Sequence, residues 1–199
     1  MKKTTALITI VILLFSLTAC SDNYEKGTLT NTTFESEYLD LKFTLPEGYV
    51  LATEAEMKER SAQGAQLAQF DSNAYDDDME NTVHEMQTAS ATGNPNIIIL
   101  VEKTSIGISN VDAYIVNLKQ QLANIKEIKY EIEAAIEEIT FVGKSYKKVA
   151  ANAEFDEVKL NQEYYIRKQD NRIVSIIISF TSDTKEQKDQ LLSAFSSYK

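Results

Sequence analysis

Three observations in the sequence predict an α+β fold, an antiparallel sheet sandwiched between helices. Residues 38–45 alternate apolar and polar side chains, the runs 97–101 and 173–180 are apolar on both sides, and the stretches 111–125 and 191–198 carry apolar residues three and four apart. Period two marks a strand with one buried face, an unbroken apolar run marks a strand buried on both, and spacings of three and four mark a helix with one apolar stripe. A sheet whose inner strands are covered on both faces needs a layer on each side, and the helical stripes supply one.

In chain order, Met1-Lys2-Lys3 precedes a run from Ala6 to Leu17 dominated by Leu, Ile, Val and Phe. Two cations ahead of a short apolar segment form an export signal, and the segment falls short of the roughly 20 residues that a membrane-crossing helix needs. The boundary that follows, Leu17-Thr18-Ala19-Cys20, resembles the lipobox of bacterial lipoproteins: an aliphatic residue, two small ones, then a cysteine. The resemblance implies cleavage between Ala19 and Cys20 and a diacylglyceryl group on the Cys20 thiol. Cys20 is the one cysteine in 199 residues, so no intramolecular disulfide competes for it. Two acyl chains hold a protein at a membrane lastingly where one holds it only marginally.

Removing residues 1–19 takes away Lys2 and Lys3 and no acid, which moves the formal charge from −10 to −12. A surface that acidic repels nucleic acid and anionic headgroups. Residues 20–33 are polar and aperiodic and read as a flexible tether; residues 34–199 read as a single domain, with order beginning near Thr33.

Within that domain Phe34 is read as part of the hairpin partner of strand 38–45, which Pro46-Glu47-Gly48 stops. Thr53-Glu54-Ala55-Glu56 has the spacing of a capping box and opens a helix to about Phe70. Residues 83–91 read as a strand, and Asn94-Pro95 turns the chain into the first apolar run. Val111, Tyr114, Ile115, Leu118, Leu122 and Ile125 make one helical stripe. Residues 130–132, 139–142, 146–155 and 163–167 are strands joined by short loops, which forces antiparallel pairing in a four- or five-strand meander. After the run 173–180, Ser182-Asp183-Thr184 caps a closing helix with Leu191, Leu192, Phe195 and Tyr198 on its stripe.

The early strand running into Leu45-Pro46-Glu47-Gly48-Tyr49, and the final strand followed by an amphipathic helix, resemble the PsbP-like fold. That fold is the α/β/α sandwich of the photosystem II extrinsic protein and of many bacterial lipoproteins. The resemblance implies an extracytoplasmic, non-enzymatic binding or assembly module, and it transfers no site residue.

Candidate chemistry is sparse. His84 is the only histidine, so neither a multi-histidine metal site nor a histidine relay assembles within one chain, and no Gly-x-Ser-x-Gly elbow accompanies it. Gly143-Lys144-Ser145 ends a phosphate loop only if a glycine stands five residues before Gly143; Glu138 stands there, so a hairpin turn is the reading. Glycosidase-like carboxylate pairs can be drawn at will from 30 acids and mean nothing without geometry. Tyr164 and Tyr165 are adjacent in a strand, so one is expected to face the core and the other outward, with Tyr146 on the same sheet.

The functional expectation is an accessory lipoprotein without turnover and without a cofactor. Its lipid anchor holds it on the extracytoplasmic face of the cell membrane, where it binds an envelope protein. The alternative is a small-ligand or calcium-binding lipoprotein associated with a transporter, with the acidic run at 71–80 as its site. Asp76, Asp77, Asp78 and Glu80 are the oxygen donors a hard cation takes, but the run has no glycine and lacks the alternating spacing of an EF-hand, so a solvated loop is its default reading. Cys20→Ser should release or mislocalise the protein without unfolding it. A membrane-retained, fully processed Cys20→Ser chain in cell fractionation would contradict the reading of the boundary.

Overall fold

The computed structural model describes residues 23–67, 81–104, 110–156 and 158–199. Its strands are β1 Thr28–Leu29, β2 Thr33–Ser36, β3 Leu41–Thr44, β4 Tyr49–Leu51, β5 Thr82–Ser90, β6 Asn96–Lys103, β7 Lys129–Ile132, β8 Glu137–Phe141, β9 Lys144–Phe155, β10 Val158–Gln169, β11 Arg172–Phe180 and β12 Phe195–Ser196. The helices are α1 Glu54–Leu67, α2 Val111–Asn124 and α3 Lys185–Ser193. Among the described residues all pairings are antiparallel and make two sheets: β1-β2-β3-β12, and a larger one in the order β4-β5-β6-β11-β10-β9-β7, with β8 also paired to β9.

The centre of the large sheet is β11, and its side chains alternate between two cores. Val174, Ile176, Ile178 and Phe180 join Phe34, Leu39, Leu41 and Phe43 of the small sheet, with Leu191 of α3. Ile173 and Ile177 pack on the opposite face with Ile115 and Leu122 of α2. Side chains alternate between the two faces along β11, and even its Ser175 and Ser179 are buried, so each face of the run at 173–180 demands its own covering layer. Each buried isoleucine or valine contributes about 1.5–3 kcal/mol over its exposed state, so this strand anchors both halves of the core.

The α+β class and the antiparallel pairing agree with the sequence reading, but the covering layers differ from it. One face is covered by a second sheet together with α3, where a helical layer was expected. The sequence gives little warning, because β1 and β12 are two residues each and carry no period. Phe195, read as a helical stripe position, lies in β12: α3 ends at Ser193, the Ala194 carbonyl accepts from the Thr44 N–H at 3.2 Å, and the Phe195 ring packs on Phe43 at 4.7 Å. Tyr198 likewise falls beyond the helix. The strand expected over 38–45 is confined to Leu41–Thr44, since the chain turns at residues 37–40 with Asp40 at φ 54°. Phe34 does pair with Phe43 in the expected hairpin.

Other elements follow their local chemistry. The Thr53 hydroxyl accepts from the Glu56 N–H at 3.3 Å while the Glu56 carboxylate accepts from the Thr53 N–H at 2.7 Å, the reciprocal capping box. Asn110 Oδ1 caps α2 by accepting from the Ala113 N–H at 2.9 Å. All six apolar positions read as the α2 stripe pack in the second core. Between the layers, Arg167 donates to the Tyr146 hydroxyl at 3.0 Å and to the Leu39 carbonyl at 3.1 Å, tying the turn after β2 to the large sheet.

Ile176→Ala should cost about 2–5 kcal/mol in denaturant unfolding, because it opens a cavity between the two sheets. Val50→Ala, on an exposed side chain of β4, should stay within about 0.5 kcal/mol of the parent.

Candidate functional site

The most elaborate polar arrangement in the described chain lies where the N-terminal arm meets the large sheet. In β5 the register steps from His84 opposite Leu100 to Met86 opposite Ile99, so Glu85 is an extra residue in a β-bulge. A bulge re-aims a side chain, and here it sends the Glu85 carboxylate toward the small sheet's side, where it is 1 % exposed. The carboxylate accepts from the Tyr24 hydroxyl at 2.5 Å and from the Gly27 N–H at 2.8 Å. The Arg172 guanidinium lies over the Tyr24 ring at 4.1 Å, and that ring meets Tyr38 edge-on at 5.1 Å. Tyr38 donates its hydroxyl to the Gln169 carbonyl at 3.1 Å.

Gly27 is required by contact. A Cβ there would stand 2.5 Å from Phe34 Cε2 and 2.9 Å from the Glu35 carbonyl oxygen, so only glycine lets the arm press this closely onto β2. Lys26 adds an exposed ion pair to Glu54 at 2.5 Å, and β1 then pairs with β2. The reading of residues 20–33 as a flexible tether is therefore corrected for 23–33: Tyr24 and Gly27 are clasped and 28–29 are in a sheet. The polar composition of the segment hid this, because its partners lie 58 and 61 residues away.

Electrostatically the clasp is a compromise. Burial pushes the Glu85 carboxyl above the ordinary carboxylate range, and it outweighs the two hydrogen bonds and the positive potentials of Lys26 and Arg172, which favour the charged form. Burial, followed by the Glu85 carboxylate, pushes the Tyr24 hydroxyl well above its ordinary value, so it stays a donor at any physiological pH.

His84 is half-buried on β5, with Nε2 2.7 Å from the Ser61 hydroxyl of α1. Serine and histidine at this distance have the spacing of a nucleophile and its base. The environment opposes the role, however: burial and then Lys26 lower the imidazole pKa, whereas a general base needs its cation stabilised. The pair is a helix-to-strand hydrogen bond. Ser61 could not be picked out from the sequence, since a serine inside a helix carries no signal of its partner.

The remaining sequence candidates resolve as follows. Tyr164 and Tyr165 are both buried, contrary to the expectation of one outward ring, because β10 lies between β9 and β11 under cover on both faces. Their hydroxyls donate to Gln162 at 2.7 Å and Glu163 at 3.0 Å. Tyr146 is buried as well. Val142 and Gly143, the latter at φ 73°, form the β8–β9 turn, and Lys144 and Ser145 open β9, with Lys144 Nζ 3.1 Å from Asp40. Ala19, Cys20, Asp76, Asp77, Asp78 and Glu80 lie outside the described residues. Among the described residues no three histidine, cysteine, aspartate or glutamate side chains are grouped to hold a metal, and no helix is long and apolar enough to cross a membrane. An open groove of about 390 Å³ adjoins the clasp, lined by Asn23, Glu25, Thr28, Glu35, Tyr38 and Tyr198 among others.

No protein-family model matches the chain, and no curated protein matches it. Among solved structures, it is similar to the solution structure of cyanobacterial PsbP (CyanoP) from Synechocystis, with 12 % identity, 92 % of this chain and 99 % of that one covered, and a TM-score of 0.49. It is also similar to LpqN of Mycobacterium tuberculosis, a protein involved in cell envelope biogenesis, with 10 % identity, coverage of 78 % and 82 %, and a TM-score of 0.45. A structure from Bacteroides thetaiotaomicron shares 9 % identity over 86 % of this chain and 50 % of that one, with a TM-score of 0.47. Likenesses at this level transfer no residue role.

The raised Glu85 pKa carries a definite sign. Its protonated form is favoured in the folded state, so its contribution to stability is fullest below about pH 4 and is lost as pH rises through the raised value. Glu85→Gln, which cannot ionise, should therefore gain in melting temperature relative to the parent as pH rises from 4 to 8. A gap that moves the other way would mean that Arg172 and Lys26 outweigh burial.

Proposed function

We propose that this chain is a lipid-anchored accessory protein of the extracytoplasmic face, acting by binding an envelope protein rather than by turnover. The observation that carries the non-enzymatic part is the way the buried charges are used. Among the described residues, Glu85, Arg172 and Lys188 are the buried ionisable side chains of charged type, and each closes on the protein itself. Glu85 takes Tyr24 and Gly27, and Arg172 lies over Tyr24. Lys188 lies 3.5 Å from Glu163 and 3.2 Å from Asp189, over the Phe180 ring. Catalysis works through polar groups aimed at the space a reactant will fill. These groups are aimed at one another and hold layers together.

The anchor rests on the Leu17-Thr18-Ala19-Cys20 boundary and on the acidity of the chain, which leaves acyl chains rather than charge to retain it at anionic lipid. Exposed apolar side chains, Phe155 and Val158 beside each other at the β9–β10 hairpin and Val50 on β4, offer contact area to a protein partner. Photo-crosslinkers placed at Val50 and Val158 in intact cells should yield a discrete adduct with one and the same envelope protein across replicate cultures. Diffuse capture proportional to protein abundance would sink the reading.

A further inference from the structure

We propose that the clasped arm orients the domain on the lipid surface: the strand ends that carry Lys103 and Arg172 face the bilayer, and the β9–β10 hairpin stands away from it. This rests on the reading of Cys20 as the lipid carrier. Tyr24, fixed by Glu85, Arg172 and Tyr38, is four residues past Cys20. A residue spans at most about 3.6 Å, so four residues give a leash of at most about 14 Å, whereas a tether running free to residue 33 would reach about 45 Å.

The clasp marks one end of the large sheet. Arg172 opens β11 opposite Lys103 at the end of β6 and opposite Gln169 at the end of β10, and Tyr38 bonds that same Gln169 carbonyl. The opposite end of β10 is Val158, paired with Phe155, and a strand of 12 residues puts it about 36 Å away at roughly 3.3 Å per residue. Repulsion supplies the rest. A body of formal charge −12 is pushed off an anionic surface, and a short leash at one end turns that push into alignment.

The chain has no tryptophan, so a single introduced one is a unique reporter. The full chain carrying Lys103→Trp or Phe155→Trp, both at exposed positions, is recovered from membranes into vesicles of phosphatidylcholine and phosphatidylglycerol containing dansyl-headgroup lipid. Energy transfer to the headgroups should be several-fold greater from position 103 than from 155. Equal or reversed transfer overturns the proposal. A flexible Gly-Ser insert of about 20 residues after Ser21 lengthens the leash without touching the domain and should erase the difference; a difference that survives it overturns the role of the arm. A chain recovered only in the soluble fraction would refute the anchor reading instead. In that case coupling the Cys20 thiol to maleimide-headgroup lipid reinstates the leash, and the same two transfers decide the orientation on their own.

Discussion

The rest of the molecule follows from the burial of β11 on both faces. A strand that sends Val174, Ile176 and Ile178 one way and Ile173 and Ile177 the other has no face for solvent, so the protein must build two cores and a cover for each. On one side the cover is α2, whose six stripe residues pack with Val149, Ala151, Tyr164, Ile166 and Ile173. On the other the cover is a sheet assembled from distant pieces: residues 28–44 from one part of the chain and 195–196 from another, with α3 alongside. The polar ties between these layers, Arg167 to Leu39 and Tyr38 to Gln169, lie at the turns where the small sheet meets the large.

The bulge at Glu85 belongs to the same logic. An ordinary strand would have kept the carboxylate in register; the extra residue swings it into the layer boundary, where it meets the N-terminal arm. A buried carboxylate is costly unless hydrogen-bonded, and leaving it without its partners costs more than the pair contributes. Such a group works better as a device for specificity than as a source of stability. It accepts one geometry of Tyr24 and Gly27 and penalises the others.

Features whose information is local were legible in the sequence. The capping box at Thr53, the α2 stripe, the apolar runs of β6 and β11 and the turn at Gly143 all declare themselves through spacing over a few residues. What escaped was set by distance. The clasp joins residues 24 and 27 to 85, β12 joins 195 to 43, and each partner looks ordinary among its own neighbours. Tyr164 and Tyr165 show a third kind of miss: alternation was read correctly, but both faces turned out to be interior. The residues expected to carry chemistry, Cys20 and the acids at 76–80, lie outside the described chain, so the fold leaves their roles where the sequence placed them.

The place of β11 in the strand order also governs how the chain is assembled in time. As the chain emerges from its N-terminus, β6 has β5 on one side and nothing on the other until residues 172–180 arrive to take the vacant edge. Ile97, Ile99 and Val101 must wait through some seventy residues of chain for the neighbour that buries them, and pairings of such sequence separation form slowly. During that interval the open edge of β6 is the surface a chaperone would hold, and the segment through which two copies would most readily exchange strands.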